Sequence, residues 1–219
     1  MARGVLISLD GVDGAGKTTQ CELLAGWLRD REYPVVTCRD PGSTPLGEAV
    51  RRLLLDPGTG PISRRAEMLL YMASRAQLVA EVIRPALESG QVVICDRFVL
   101  ANVVYQGYAG GLAVDELWRI GEVATAGVMP DVTVVLDLEP DRAAERLQRP
   151  RDRMESNSAE FHRQVREGFL AAARESGRPI RVVNAAGSVQ QVQEQIRQEV
   201  LRHLGDRLPG GVSPTAPVP

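Results

Sequence analysis

Residues 11–18 read Gly-Val-Asp-Gly-Ala-Gly-Lys-Thr, the spacing G-x-x-x-x-G-K-[ST]. They follow the apolar run Val5–Leu9 and precede a stretch of helical period, Thr18–Arg31. A strand before and a helix after is the setting that gives this pattern its meaning. The glycines let backbone N–H groups converge on phosphate oxygens without Cβ obstruction, and the helix N-terminus adds partial positive charge. The lysine reaches the β- and γ-phosphates of a nucleoside triphosphate, and the next hydroxyl can bind Mg²⁺. Of the chain's 26 basic residues, 25 are arginine and one is lysine. That one, Lys17, stands where the cradle needs it. Gly11, Val12, Asp13, Gly14, Ala15, Gly16, Lys17 and Thr18 are therefore assigned to the phosphates of ATP, with Thr18 as a Mg²⁺ ligand.

The rest of the chain suits a doubly wound sheet. Five short β-branched runs recur, at Val5–Leu9, Val35–Cys38, Val92–Cys95, Val132–Leu136 and Ile180–Val183. Near-continuous apolar strands imply burial on both faces, as in a parallel sheet. Helical periods lie between them, at Thr18–Arg31, Gly47–Leu55, Ala66–Glu88, Val114–Ala126, Arg142–Leu147, Ala159–Ser176 and Val189–Leu204, with Pro85 a kink or break in the third. The expected fold is three-layer α/β/α around a five-stranded parallel sheet. Polar residues follow the strands at Asp10, Arg39–Asp40, Asp96–Arg97, Asp137 and Asn184, where such sheets place their ligand crevice. Residues 205–219 are rich in Pro and Gly and are expected to be a disordered tail.

Charge and length narrow the class. The 219 residues carry 26 basic against 28 acidic side chains, which argues against a nucleic-acid surface. No apolar run approaches the roughly 20 residues of a membrane span. Three cysteines without paired spacing, and no secretory signal, place the chain in a reducing cytoplasm. No Asn-Lys-x-Asp guanine reader is present, since the lone lysine is committed to the phosphate loop. The length leaves no room for motor or transporter domains, so a small kinase fits better than a switch.

Several segments, in order, now resemble one family. They are Gly11–Gln20, Arg39-Asp-Pro-Gly-Ser-Thr-Pro-Leu-Gly-Glu48, Leu70-Tyr-Met-Ala-Ser-Arg-Ala-Gln77, Asp96-Arg-Phe-Val-Leu-Ala-Asn-Val-Val-Tyr-Gln-Gly107 and Asp152-Arg-Met-Glu155. They resemble the phosphate loop, the R-E-P-G-G-T-P-L-G-E segment, the monophosphate-site helix, the D-R-Y-x-x-S-x-x-A-Y-Q-G segment and the lid of the thymidylate kinases. These are P-loop nucleoside monophosphate kinases, and the resemblance covers most of residues 5–204. Asp40 stands where Glu is usual, Ser43 where Gly is, Ala101 where Ser is, and Leu78 where His is common.

The resemblance implies ATP + dTMP → ADP + dTDP with Mg²⁺, in a homodimeric enzyme of one domain over residues 1–204. It places Asp13 at the acceptor sugar or the Mg²⁺ shell and Asp96 on the metal through water. Arg97 and Arg39 would grip the acceptor phosphate. Tyr71 and Arg75, four apart on one helix face, would stack on and hydrogen-bond a pyrimidine. Asn102 would read the base edge, Tyr105 would crowd the sugar 2′ position, and Gln106 would lie nearby. A lid at about 147–157 would bring Arg149, and second Arg153, over the transferring phosphoryl, with Arg151 less placed. The alternatives are a kinase for another nucleoside monophosphate or a deoxynucleoside, and a non-catalytic ATP-binding regulator.

Overall fold

A computed structural model describes residues 3–147 and 152–208. Five strands form one sheet: β1 (Val5–Gly11), β2 (Val35–Arg39), β3 (Val92–Asp96), β4 (Val132–Asp137) and β5 (Ile180–Asn184). Their order is β2-β3-β1-β4-β5 and every pairing is parallel. Each expected strand is present and extends to the polar residue after its apolar run. Central β1 and β3 are buried throughout, whereas edge strands β2 and β5 are partly exposed.

Helices cover both faces. They are α1 (Lys17–Arg29), α2 (Pro45–Leu55), α3 (Arg64–Leu78), α4 (Arg84–Glu88), α5 (Val99–Asn102), α6 (Val114–Ala124), α7 (Pro140–Glu145), α8 (Ala159–Glu175) and α9 (Val189–Leu204). Alternate side chains of a strand point to opposite faces. Accordingly, Ile7 and Leu9 of β1 pack in one apolar cluster with Leu24 and Leu28 of α1 and Ile196 and Val200 of α9. Leu6, which precedes Ile7 and so points to the other face, packs in another with Val93, Met72, Leu78, Ile83 and Leu117. Cys21, Cys38 and Cys95 are free thiols and buried.

Two irregular helices bear on the site. The long period 66–88 is α3 and α4 joined by a π-helical turn, Val79–Ile83, just before Pro85. Proline lacks an N–H and clashes with the preceding turn, and the wider turn accommodates it. The second, α5 continued by a π-helical turn over Val103–Tyr108, has no counterpart among the periodic segments of the sequence. It carries Asn102, Tyr105 and Gln106.

Of the expected tail, residues 205–208 belong to the fold, and residues 209–219 lie outside the described residues. A 3₁₀ turn follows α9 at Gly205–Arg207, and Leu208 packs in the core, 3 % exposed. Arg207 pairs with Asp131, whose other carboxylate oxygen accepts from the Leu6 N–H at 2.8 Å.

Candidate active site

The phosphate loop leaves β1 through Gly11, at φ +136°, where a Cβ would lie 2.5 Å from the Leu136 carbonyl oxygen. It enters α1 through Gly16 in the left-handed region, at φ 95°, with no side-chain cap. Helices α2, α3, α8 and α9 each begin on a hydroxyl cap, from Thr44, Ser63, Ser158 and Ser188. The first N–H groups of α1 therefore face the cleft without a competing side-chain acceptor, as phosphate binding needs. Lys17 Nζ donates to the Val12 carbonyl at 2.8 Å and the Gly11 carbonyl at 3.3 Å. Burial, with Arg97 adding repulsion, lowers its pKa. Thr18 Oγ1 donates to Asp96 Oδ2 at 2.6 Å, across the adjacent strand end.

Beside the loop, Arg97 adopts φ 69° and turns its guanidinium back over β1. It donates to the Gly11 carbonyl at 2.9 Å and to Asp13 Oδ1 at 2.6 Å. Tyr105 Oη donates to the other Asp13 oxygen at 2.8 Å. Burial disfavours the Asp13 anion, but Arg97 and Lys17 outweigh it and hold the carboxyl well below its usual range. Asp10 is the contrary case. It is fully buried, neither oxygen has a hydrogen-bond partner among the described residues, and burial pushes its pKa from 3.8 to about 7 against the pull of Arg97 and Lys17.

Two cavities meet here. An open cleft is lined by residues 13–20 of the phosphate loop and α1, by Arg39, Asp96 and Arg146, and on its far side by Ala185, Gly187, Ser188 and Val189 after β5; Gly11 and Val12 of the loop do not line it. A second, more enclosed cavity of about 90 Å³ adjoins it. Tyr71, Arg75, Ala101, Asn102, Tyr105 and Gln106 line it, with Asp152 and Met154. Asp13, Asp40, Arg51 and Arg97 line both. At its base Arg75, 1 % exposed, donates to Asp40 Oδ2 at 2.5 Å, Asn102 Oδ1 at 3.0 Å and the Phe98 carbonyl at 3.2 Å. Asp40 is one methylene shorter than the glutamate usual there and still reaches Arg75. Ser43 has φ 62°, which explains why glycine is usual there; its N–H donates to Glu48 Oε1 at 2.9 Å, and its hydroxyl accepts from the Arg39 N–H at 2.8 Å.

The thymidylate kinase family model matches residues 9–196. A thymidylate kinase of Symbiobacterium thermophilum is 49 % identical over 207 residues, 94 % of this chain and 97 % of the relative. One from Cutibacterium acnes is 45 % identical over 90 % of this chain and 96 % of its own length. One from a Thermoanaerobacter species is 42 % identical over 92 % of this chain and its full length.

The chain belongs to the thymidylate kinase family.

Within that family frame, the expected residues divide. Tyr71, Arg75, Arg97, Asn102, Tyr105, Gln106 and Asp13 lie together around the enclosed cavity. Arg39 does not: it lines the open cleft and pairs with Glu48 at 3.1 Å. Arg153 is likewise turned away from the phosphate loop. Its Nε donates to the Leu54 carbonyl at 2.7 Å and its terminal nitrogen pairs with Glu67, a carboxylate buried on α3 that captures it first. In this conformation Arg153 ties the segment after residue 152 to α2 and α3 instead of extending towards the phosphate loop. Arg149 and Arg151 lie outside the described residues. No helix among the described residues is long and apolar enough to cross a membrane.

Sequence reasoning missed Arg51, Arg146 and Glu67. Arg51 lines both cavities and donates to the Pro41 carbonyl at 3.1 Å. In the sequence it is one of two adjacent arginines on an amphipathic helix, indistinguishable from a solvated charge. Arg146, which lines the open cleft, had only its nearness to the lid as a signal.

Proposed function

We propose that phosphoryl transfer crosses the wall of Asp13 and Arg97, from ATP in the open cleft to dTMP in the enclosed cavity. Family membership makes the chain a dTMP kinase, a nucleotide-binding transferase of dTDP biosynthesis that uses ATP as donor. The observation that carries the reading is the shared wall: a loop built for a triphosphate and a cavity lined by polar groups that suit a base have Asp13, Asp40, Arg51 and Arg97 in common.

Little covalent chemistry is asked of the protein in such a transfer; positioning and charge neutralisation suffice. The loop amides and Lys17 hold the donor phosphates. Arg97 and Arg51 hold the acceptor phosphate, whose anionic oxygen attacks without a general base. Tyr71 stacks on the pyrimidine, Arg75 and Asn102 read its edge, and Tyr105 crowds the sugar. Asp152 and Met154 roof the cavity and exclude water that would hydrolyse ATP. Arg149 is the remaining candidate for a lid charge.

Mg²⁺ is the expected companion of ATP. Thr18 and Asp96 offer adjacent hard oxygen donors, which fits an ion that prefers one or two protein oxygens plus phosphates and water. Bound there it would supply charge neutralisation to the phosphates, and Asp13, within the same loop, would be a further candidate for its shell. We also place the enzyme in the cytoplasm as a homodimer. The free thiols support the first, and the exposed Leu69 of α3, beside a groove with Leu112 and Ile120, supports the second.

The test is acceptor-dependent ADP release from Mg–ATP with dTMP, dUMP, UMP, CMP, AMP, GMP, thymidine and no acceptor. Strong preference for dTMP is expected. Preference for another acceptor overturns the base site, and release without acceptor dependence overturns the kinase reading.

A further inference from the structure

A buried chain of hydrogen bonds runs beneath the enclosed cavity. Arg75 donates to Asn102 Oδ1 at 3.0 Å. Asn102 Nδ2 donates to Gln106 Oε1 at 2.7 Å, and Gln106 Nε2 donates to Glu67 Oε1 at 2.8 Å. Glu67 Oε2 accepts from Arg153. Glu67, Arg75, Asn102 and Gln106 are each no more than 2 % exposed, so water does not complete the network.

The two ends of the chain decide its direction. A guanidinium only donates and a carboxylate only accepts. Side-chain amides can be turned either way in most settings. Here, Arg75 requires the Asn102 oxygen on its side, and Glu67 requires the Gln106 nitrogen on its side. Each end enforces the same orientation of both amides. Reversing either amide would set two donors or two acceptors face to face in a dry site, which is costly. Glu67 lies outside the cavity lining, whereas Asn102 and Gln106 are part of it.

We propose that Glu67 is a positioning residue that sets pyrimidine discrimination, by fixing which edges Gln106 and Asn102 turn to the acceptor base. The proposal rests on the reading of the enclosed cavity as the base site. The same carboxylate ties the roof to the base-reading amides. Arg153 also donates its backbone N–H to the Leu55 carbonyl at 3.0 Å, and its neighbours Asp152 and Met154 line the cavity. An ordered roof and an ordered amide pair thus depend on one group.

Glu67→Gln is the direct test. An amide at 67 has one acceptor oxygen for two donors, Gln106 and Arg153, so the Glu67 end no longer fixes the amide direction and only the Arg75 end still holds it, while volume is kept. The readout is the ratio of kcat/KM for dTMP to that for dCMP, whose base carries an amino group in place of a carbonyl. We expect the ratio to fall at least tenfold, mainly through the KM for dTMP, with the KM for ATP within twofold of wild type. The swap Glu67→Gln with Gln106→Glu restores a consistent chain: the carboxylate at 106 accepts from Asn102 and from the amide at 67, whose oxygen accepts from Arg153, while Arg64, which reaches Glu67 Oε1 only at 3.4 Å from a partly exposed side chain, turns to water. It should recover at least half of the lost discrimination, on a logarithmic scale. An unchanged ratio in Glu67→Gln, an equal loss for both acceptors, or a swap no better than the single variant overturns the proposal. If Glu67→Gln does not fold, the swap decides alone: a ratio near wild type supports it, and a collapsed ratio or a second failure to fold overturns it. Wild-type enzyme without dTMP preference would instead overturn the base-site reading itself.

Discussion

The Arg97 guanidinium donates to Asp13 Oδ1 at 2.6 Å on the wall that the two cavities share. A non-glycine residue at φ 69° carries backbone strain of about 1–3 kcal/mol. The strain persists because it aims the side chain: the Arg97 N–H is held by the Leu9 carbonyl at 2.9 Å while the guanidinium reaches Gly11, Asp13 and Tyr105 together. An ammonium keeps the charge but not the planar fork. Arg97→Lys is therefore expected to lower kcat by about 10²–10³ and to raise the KM for dTMP more than that for ATP. Steady-state kinetics with each nucleotide varied would show this. A kcat within threefold of wild type would remove Arg97 from the transfer path.

Lys17 is held in reserve on the loop carbonyls of Val12 and Gly11. Phosphate oxygens offer it a better partner, while the loop amides bind independently of it. Lys17→Ala should lower kcat by about 10³ and weaken ATP binding far less. The mutant should be no less stable, because it removes a buried ammonium whose burial already lowers its pKa. Calorimetric titration of ATP alongside turnover separates the two effects; equal losses in both would show the lysine acting only as a binding charge.

Tyr105 serves two ends of its ring differently. Its hydroxyl donates to Asp13, and its face packs edge-on against Phe161 and Phe169. Tyr105→Phe keeps the packing and removes one of two donors to the Asp13 carboxylate. Turnover should fall about tenfold, the scale of one hydrogen bond to a charged group, while the preference for dTMP over its ribonucleotide stays. Loss of that preference in the Phe variant would mean that the hydroxyl, and not the ring, excludes the 2′-OH.

Much of this was legible in the sequence because the strands are short, β-branched and bounded by polar residues. The phosphate loop was legible because it is local. The helix through Val99–Tyr108 was not, for a physical reason: Val99, Leu100, Asn102, Val103, Val104, Tyr105, Gln106 and Gly107 are all buried, so no polar face marks a helical period. Pairings such as Asp40 with Arg75, or Glu67 with Arg153, join residues far apart in the chain. Residue type announces such charges, but only the fold says which carboxylate meets which arginine. That is why the sequence could offer Arg153 as a lid charge without showing its pairing with Glu67.

Asp10 predicts a pH dependence with a definite sign. Its pKa is raised from 3.8 to about 7 in the fold. The folded state therefore holds a proton that the unfolded chain has released, and stability is lost as pH rises between about 4 and 7. Asp10→Asn removes the titration, so its stability relative to wild type should improve across that window, by about 4 kcal/mol at most. Urea unfolding of both proteins at pH 5 and pH 8 measures it. A difference that is the same at both pH values would show that Asp10 is already ionised in the fold at pH 5.

The chain's end offers a sharp boundary. Leu208 is buried, and Arg207 pairs with the Asp131 carboxylate that anchors the start of β1 through Leu6. Cutting after Leu208 removes neither contact. Cutting after Gly205 removes both, exposes the apolar surface that Leu208 covers, and should cost about 2–3 kcal/mol. Because Asp131 stands at the opposite end of β1 from the phosphate loop, the loss should appear in the unfolding midpoint and leave kcat at 25 °C nearly unchanged. The longer truncation product should match the full chain in both. A matching stability for the two truncations would mean that Leu208 contributes nothing, and a loss of activity on removing residues 209–219 alone would give the last segment a role in turnover.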